Sequence, residues 1–195
     1  MSDFASAIRP SIVMTIGFTL LCGIAYPLAV TGVGQVAMPY QANGSIVTDA
    51  TGRAIGSELI AQGFAKPGYF HPRPSAAGKG YDATASGGTN LAPGSKDLHD
   101  RIQKDVASLH KEGVITVPAD LVTTSASGLD PEISPEAALV QVPRIAQARG
   151  LSSAQVKDLI SKTSRGALIG FIGEPRVNVF ALNRQLDAMF AIMTK

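Results

Sequence analysis

The sequence predicts an α+β fold, in which one N-terminal transmembrane helix is followed by a single compact mixed α/β domain. Two observations support this class. No charged residue occurs between Arg9 and Asp49, although charged residues make up 16% of the 195-residue chain. Beyond residue 38, short segments of strand type alternate with amphipathic segments of helix type, which is the pattern of one mixed domain.

The uncharged stretch is long enough to span a bilayer. Its apolar core, SIVMTIGFTLLCGIAYPLAVTGVGQVAM, covers residues 11–38, and a helix of about 20 residues crosses the roughly 30 Å hydrocarbon layer. We therefore predict a transmembrane helix over residues 11–36. A cleaved signal peptide is the alternative, but the apolar core is long, a single Arg precedes it and no clear A-x-A site follows it.

The basic residues near this helix favour one orientation. Arg9 and the amino terminus lie on one side, and the other flank has no Lys or Arg before Arg53. Cytoplasmic flanks tend to carry the positive charge. We therefore expect residues 1–10 to be a short cytoplasmic N-terminus and residues 39–195 to form an extracytoplasmic domain.

Small residues recur every four positions along the predicted transmembrane helix. They are Ser11, Thr15, Thr19, Gly23, Pro27 and Thr31. Small side chains let a second helix approach closely and let hydroxyls bond across the contact. The row is thus predicted to dock against another membrane subunit, although small residues are also common in membrane helices without such a role.

The first half of the domain is predicted to contain two strands, a polar loop and a helix. The strands flank the turn sequence Asp-Ala-Thr-Gly in GSIVTDATGRAIGSELIAQGF. The polar loop covers residues 69–90. SKDLHDRIQKDVASLHKEG is an amphipathic helix that Ser95 caps and Gly113 ends. VITVP, residues 114–118, is predicted to be a buried strand.

The second half is predicted to be mainly helical. Ser134 and Pro135 begin a helix, which Pro143 should bend or interrupt. Ser152 and Gln155 have the spacing of a capping box for the next helix. RVNVFALNRQLDAMFAIM is a strand followed by a closing helix. The apolar side of that helix carries Leu182, Leu186, Met189 and Met193.

The composition argues against nucleic-acid binding, thiol chemistry and metal binding. Lys and Arg number 17 against 15 Asp and Glu and form no basic stripe, whereas phosphate binding needs concentrated positive charge. The single cysteine, Cys22, excludes an internal disulfide, a CxxC pair and a Cys-rich zinc site. His71, His99 and His110 lack metal-ligand spacing, so we predict no metal site.

The polar loop, YFHPRPSAAGKGYDATASGGTN, matches no catalytic template. The chain contains no Walker A, G-x-S-x-G or H-E-x-x-H motif. His71 as a general base and Asp82 paired with Asp130 remain alternatives. We expect instead that His71 and Arg73 bond the loop backbone, that Asn90 stabilises a turn, and that the loop presents a rigid surface to a partner chain. No catalytic residue is predicted.

Four longer segments carry a resemblance to a known family. They are GSELIAQGFAKPGYFHPRPSA, GYDATASGGTNLAPGS, SASGLDPEISPEAALVQVPRIAQARGL and GEPRVNVFALNRQLD. Together with the N-terminal helix, they resemble the C subunit of the Kdp-type potassium-transporting ATPase, a bacterial pump built around a P-type ATPase. Two features depart from that pattern: SGGTNLAPGS replaces the more usual SGGSNLGPTN, and Pro143 lies in a helix expected to be uninterrupted.

The resemblance implies an accessory, non-catalytic subunit of a high-affinity potassium uptake complex in the bacterial inner membrane. Its partners would be the potassium-conducting and ATP-hydrolysing subunits. The family's C subunit is described as a catalytic chaperone that raises the ATP affinity of the hydrolysing subunit, and Gln141 would be the position that contacts the nucleotide. No cofactor is expected to bind tightly, and ATP would be met through the complex.

Other interpretations stay open. The predicted topology puts Gln141 outside the cytoplasm, where ATP is scarce, and no phosphate-binding loop accompanies it. Gln141 would then be a solvent-facing helical residue, and the domain a cap or scaffold over the potassium entrance. Asp82, Asp130 and Glu132 would add a negative potential that favours cations there. A membrane-anchored hydrolase that uses His71 is the third interpretation.

Overall fold

The computed structural model describes residues 2–166 and 172–193, with side chains for residues 4–166 and 172–189. The chain divides into two compact units, Met1–Ile46 and Val47–Lys195. The first unit is helical, and the second combines helices with two small sheets. This confirms the predicted α+β class.

The N-terminal unit contains a helical run that is widened near its middle. Helix α1 covers Ser2–Leu20, a π-helical turn covers Leu21–Ala25, and α2 covers Tyr26–Ala37. The second residue of α2 is Pro27, which lacks an N–H and would collide with the carbonyl four residues earlier in a regular α-helix. In the wider turn the Tyr26 N–H bonds the Leu21 carbonyl instead, which relieves the conflict.

This helical run has the length and composition of a membrane span. Among the residues that the structure describes, Phe4–Ala37 is the one stretch that meets both requirements, with a mean hydropathy of 1.9 in its most apolar window. None of that window is buried within the chain. A short helix α3, Pro39–Ala42, follows.

The mixed domain opens with two paired strands. Strand β1, Ile46–Thr48, pairs with β2, Ala54–Ser57. Between them, Asp49 Oδ1 accepts hydrogen bonds from the N–H groups of Thr51 and Arg53 at 2.9 and 3.0 Å. This side-chain acceptor fixes the turn, so the prediction of two strands around Asp-Ala-Thr-Gly is confirmed.

Helix α4, Lys96–Lys111, begins and ends at local signals. Ser95 Oγ accepts the Leu98 N–H at 3.3 Å, as expected of an N-cap. At the other end, Gly113 has a φ of 87°, and the Val114 N–H bonds the Leu109 carbonyl at 3.0 Å. This pattern is a Schellman motif, in which a left-handed residue reverses the chain and an apolar residue then packs back on the helix.

The predicted strand over residues 114–118 is wrong, and the Schellman motif is the reason. The segment is irregular in the structure. Val114 is buried as the apolar anchor of the helix end, and Ile115 is 90% exposed. The apolar alternation of VITVP therefore reflects a helix cap followed by a surface loop.

Pro143 separates two helices. Helix α5 covers Pro135–Leu139, and α6 covers Val142–Arg149. Pro143 thus lies in the first turn of α6, where its missing N–H needs no partner, and the predicted interruption is confirmed. Ser134 caps α5 by accepting the Ala137 N–H at 3.1 Å.

The last elements complete the core. Helix α7, Ser153–Thr163, begins at the predicted capping box of Ser152 and Gln155. Strand β3, Glu132–Ile133, pairs antiparallel with β4, Val177–Asn178, and helix α8 covers Val179–Met193. Leu182 and Leu186 are fully buried and Met189 packs against the same cluster, whereas the side chain of Met193 lies outside the described residues.

The buried cluster lies among α5 to α8 and the β3–β4 pair. Its members include residues of all six elements, together with Phe70 from the polar loop. Burial of large apolar side chains is the main stabilising contribution. The polar loop is therefore anchored in the core through one aromatic side chain.

A close backbone contact joins the polar loop to the segment of residues 123–130. Gly128 has a φ of 66°, and a Cβ built there would lie 2.6 Å from the Gly87 carbonyl oxygen and 2.7 Å from the Ala77 nitrogen. Gly150, which ends α6, has a similar φ of 64°, but a Cβ built there meets nothing within 4 Å. The two glycines thus differ in crowding but not in backbone conformation.

We expect Gly128→Ala to lower the free energy of unfolding by about 1–3 kcal/mol more than Gly150→Ala. Both variants carry a left-handed strain of about 1 kcal/mol, but Gly128→Ala also forces two backbone segments apart. Urea denaturation of the full chain in detergent measures the difference. Equal losses in the two variants would contradict the close contact.

Candidate functional site

Side chains hold the segment of residues 66–71, which leads into the polar loop and includes its first three residues. Residues 66–71 belong to no helix or strand, yet a segment that reaches the core needs partners for its N–H and C=O groups. Each carbonyl from Lys66 to His71 accepts a hydrogen bond from a side chain. The donors, in order, are His71, Arg144, Arg149, Arg144, Asn183 and Gln141.

Two of these donors act as amide clamps, a term used here for Asn183 and Gln141. Asn183 Oδ1 accepts the Phe70 N–H at 2.8 Å, and its Nδ2 donates to the Phe70 carbonyl at 2.9 Å. Gln141 Oε1 accepts the His71 N–H at 2.8 Å, and its Nε2 donates to the His71 carbonyl at 3.1 Å. Each amide therefore bonds one residue as a neighbouring strand would.

Gln141 is not the solvent-facing helical residue of one interpretation. It is 3% exposed and lies at the N-cap position of α6. Besides binding His71, it donates to the Ala137 carbonyl at 3.1 Å and accepts from Arg144 Nη2 at 2.7 Å. An amide has two donor and two acceptor positions, and all four are engaged within the chain.

Two arginines hold the turn that precedes the clamps. Arg144 Nε pairs with Glu112 at 3.2 Å, and Arg149 Nη2 pairs with Asp187 at 2.7 Å. The guanidinium of Arg149 also stacks on the ring of Tyr69, 4.5 Å from its centroid. Their side chains are only 14% and 11% exposed, which is tolerable because each charge has an acidic partner and carbonyl acceptors.

His71 is a neutral side chain in this setting. Burial lowers the pKa of its imidazole, the Arg144 charge lowers it further, and the Lys66 carbonyl and Glu112 act in the opposite direction. The net shift is downward, so the ring is uncharged at pH 7. Because Nε2 lies 3.2 Å from the Lys66 carbonyl, Nε2 carries the proton and Nδ1 is an acceptor.

Arg73 joins the polar loop to the segment of residues 123–130. Its Nη1 pairs with Asp130 at 3.2 Å, and its Nη2 donates to Thr123 Oγ1 at 3.2 Å. Asp130 also accepts the Glu132 N–H at 3.0 Å. Arg73 and Asp130 thus connect two loops that are more than 50 residues apart in the chain.

Asp82 and Asn90 shape exposed turns. Asp82 Oδ1 accepts from the hydroxyl and the N–H of Thr84 at 2.7 and 2.9 Å, and these two bonds hold the pKa of the Asp82 carboxyl below its usual value. Asn90 has a left-handed φ of 53°, which Asn tolerates better than most residues. Asp82 and Asp130 each accept backbone N–H groups of their own turns.

A cleft of about 200 Å³ opens beside the Gln141 clamp. We call it the loop cleft. Residues of the polar loop, of α4 and its C-terminal end, and of the segments that carry Leu121 and Val140 line it together with Gln141 and Arg144. Its lining comprises His71, Pro72, Pro74, Tyr81, Asp105, Ser108, Leu109, Glu112, Val114, Leu121, Val140, Gln141 and Arg144.

The small-residue row of the N-terminal unit is exposed along the helical run. Thr15, Thr19 and Gly23 line a shallow groove with Met14, Phe18 and Cys22. In a regular α-helix, residues four apart drift by about 40° at each step. The π-turn at Leu21–Ala25 takes up an extra residue, which counteracts this drift and keeps Gly23 closer to the line of Thr15 and Thr19.

Sequence reasoning missed Asn183 and the two arginines as loop-holding residues. A signal for Asn183 was present, because Val179, Leu182, Asn183 and Leu186 have the i, i+3, i+4, i+7 spacing of a buried helix face. A polar residue on such a face must find a buried partner. Which loop would supply that partner was not visible from local patterns.

Comparison with known proteins identifies close relatives over nearly the whole chain. The family model described as KdpC, the c chain of a K⁺-transporting ATPase, matches residues 8–188. The potassium-transporting ATPase KdpC subunit of Caulobacter sp. (strain K31) is 59% identical over 186 residues, which cover 95% of each chain. The subunits of the same name from Koribacter versatilis and Myxococcus xanthus are 51% and 50% identical, over 91% and 97% of this chain and 92% and 89% of theirs.

We expect Asn183→Asp to make the stability of the domain depend on pH. A protonated carboxyl can still accept the Phe70 N–H and donate to the Phe70 carbonyl, whereas a carboxylate cannot donate. Burial raises the pKa of the new carboxyl above about 3.9, the value of unfolded Asp. Above that pH the unfolded chain releases a proton that the folded chain keeps, so the free energy of unfolding falls as pH rises.

The variant should approach the wild type near pH 4 and lose about 1–3 kcal/mol by pH 7. Urea denaturation of the full chain at a series of pH values measures this. Asn183→Ala is the control, because it loses both bonds at every pH and its deficit should stay constant. Parallel pH profiles for Asn183→Asp and the wild type would contradict the clamp.

Proposed function

The chain belongs to the KdpC family, the c chain of the K⁺-transporting ATPase, and from this premise we propose that it is a structural subunit whose domain packs rigidly against the potassium-conducting subunit. Membership makes the chain a component of a potassium transport complex and not its catalytic subunit. We also propose that the chain stabilises the assembled complex and spans the bacterial inner membrane once.

The amide clamps carry this proposal. They hold the backbone of Phe70 and His71 with four hydrogen bonds, and the neighbouring carbonyls are held by arginines. A surface that is rigid before binding loses little conformational entropy when a partner docks. The loop is therefore suited to be a fixed contact surface, including a cap or scaffold near the potassium entrance.

The N-terminal helix provides the second contact. A long apolar helix in a subunit of a membrane transport complex fits a single-pass membrane protein. We propose that its small-residue row packs against a helix of another subunit. We also propose that residues 1–10 are cytoplasmic and residues 39–195 extracytoplasmic, because Arg9 precedes the span while no basic residue follows it before Arg53.

A second candidate function is the catalytic chaperone that raises the ATP affinity of the hydrolysing subunit through Gln141. The observation that favours it is the position of Gln141 in the lining of the loop cleft. A nucleotide contact would require its amide to give up bonds to His71 or Arg144, since all four of its positions are engaged. The structural role needs no such rearrangement.

We expect Gly23→Leu to weaken assembly of the complex several-fold and Gly17→Leu to leave it unchanged. A Cβ at either glycine meets nothing within 4 Å, so the chain itself tolerates both. Gly23 lies in the small-residue row, whereas Gly17 lies about 200° around the helix from Thr15. Recovery of the full chain with a tagged potassium-conducting subunit measures assembly, and equal recovery of both variants would refute docking through this row.

Equilibrium binding of ATP to the full chain separates the two candidate functions. If Gln141 contacts the nucleotide, binding should be lost in Gln141→Ala and kept in Asn183→Ala. The second variant removes the other amide clamp of the same loop, and Asn183 does not line the loop cleft. Absence of binding by the wild type, or equal loss in both variants, would reject the nucleotide role of Gln141.

A further inference from the structure

We propose that the loop cleft receives a lysine or arginine side chain from another subunit of the complex. This inference deepens the proposed function, on which it rests, by naming the chemistry of the contact. The cleft combines acidic groups on its rim, an apolar wall and a neutral acceptor. These features match a cationic head on an alkyl stem.

The acidic groups are Asp105 of α4 and Glu112, the C-cap residue of that helix. Asp105 and Glu112 are seven residues apart, which puts them on one face of the helix two turns apart, and both line the cleft. Their side chains are 31% and 36% exposed. The ion pairs with Arg101 and Arg144 use one oxygen of each carboxylate, Oδ2 and Oε2 respectively. The second oxygen of each remains an acceptor for an incoming donor.

The cation already in the cleft faces inward. Arg144 donates to the carbonyls of Pro67 and Tyr69 and to Gln141, and its charge pairs with Glu112. Three of its five donor positions are thus used in hydrogen bonds within the chain, and its side chain is 14% exposed. Each carboxylate thus has one arginine partner, and the remaining carboxylate oxygens can only accept, which favours a cationic donor over a phosphate.

The remaining walls suit an alkyl stem. Pro72, Pro74, Tyr81, Leu121 and Val140 provide apolar surface, along which Lys and Arg bury their methylene groups while the charged head stays with polar partners. His71 belongs to the same lining, and its Nδ1 is an acceptor. The volume of about 200 Å³ is below the roughly 300–1,000 Å³ of small-molecule sites, so it fits one side chain better than a nucleotide.

Ser108→Arg tests the proposal by filling the cleft from within. Ser108 is exposed, lines the cleft and lies three residues after Asp105 and four before Glu112. An arginine there would pair with these carboxylates along the helix and exclude the partner's side chain. We expect retention of the full chain by the tagged potassium-conducting or ATP-hydrolysing subunit to fall about tenfold or more, while the melting temperature of the chain itself is unchanged or raised.

Ser161→Arg is the matched control. Ser161 is an exposed serine of α7, three residues after Asp158, and lies outside the cleft lining. Its substitution adds the same charge three residues after an acidic residue that is already in an ion pair but should leave retention unchanged. Equal behaviour of the two variants would overturn the proposal.

A photo-crosslinking amino acid at position 108, in the assembled complex, identifies the occupant. We expect crosslinks to a peptide of another subunit that contains Lys or Arg, and glutamate in place of that residue should weaken retention. Crosslinks to a peptide without a basic residue, or to no subunit, would overturn the proposal. If Gly23→Leu prevents assembly and Ser108→Arg does not, the cleft contact alone is rejected. If both variants assemble fully, the proposed docking through the membrane helix is rejected as well.

Discussion

A peptide segment that enters a protein core without a neighbouring strand must find its hydrogen bonds elsewhere. Residues 66–71 meet this constraint through side chains, since every carbonyl in the segment accepts a bond from His, Arg, Asn or Gln. Prolines at positions 67, 72 and 74 lack the N–H groups that strand pairing requires. The placement of α6 and α8 follows from this need, because Gln141 must reach His71 and Asn183 must reach the adjacent Phe70.

The clamps also explain why polar groups are retained in an otherwise apolar core. A buried amide destabilises the fold when one of its hydrogen bonds is missing, and it rigidifies the core when all of them are made. Gln141 and Asn183 are 3% and 1% exposed, and both fall in the second class. The same arrangement forms the loop cleft, because fixing His71 and Arg144 in place turns the arginine away from solvent, while the carboxylates of Asp105 and Glu112 stay partly exposed. Structural support and surface chemistry therefore come from one network.

Local signals predicted much of this fold, and long-range contacts account for most of what they missed. The caps at Ser95, Ser134 and Ser152 act within four residues, so residue types alone revealed them. The segment after α4 was misassigned because a Schellman motif and a strand share the same apolar residues, and only the φ of Gly113 distinguishes them. The clamps join residues 70 and 113 positions apart. Periodicity marked Asn183 as buried, but no local pattern could pair it with Phe70.

The distance between Phe70 and Asn183 has a consequence for how the protein is made. A ribosome adds Phe70 to the chain 113 residues before it reaches Asn183, and α8 emerges after every other helix that the structure describes. Until then the Phe70 N–H and carbonyl lack their partner, and the nascent loop is open to proteases and to misplaced strand pairing. Helix α8 is therefore needed before the loop is fixed, since a chain truncated before α8 lacks Asn183 and cannot bond the backbone of Phe70.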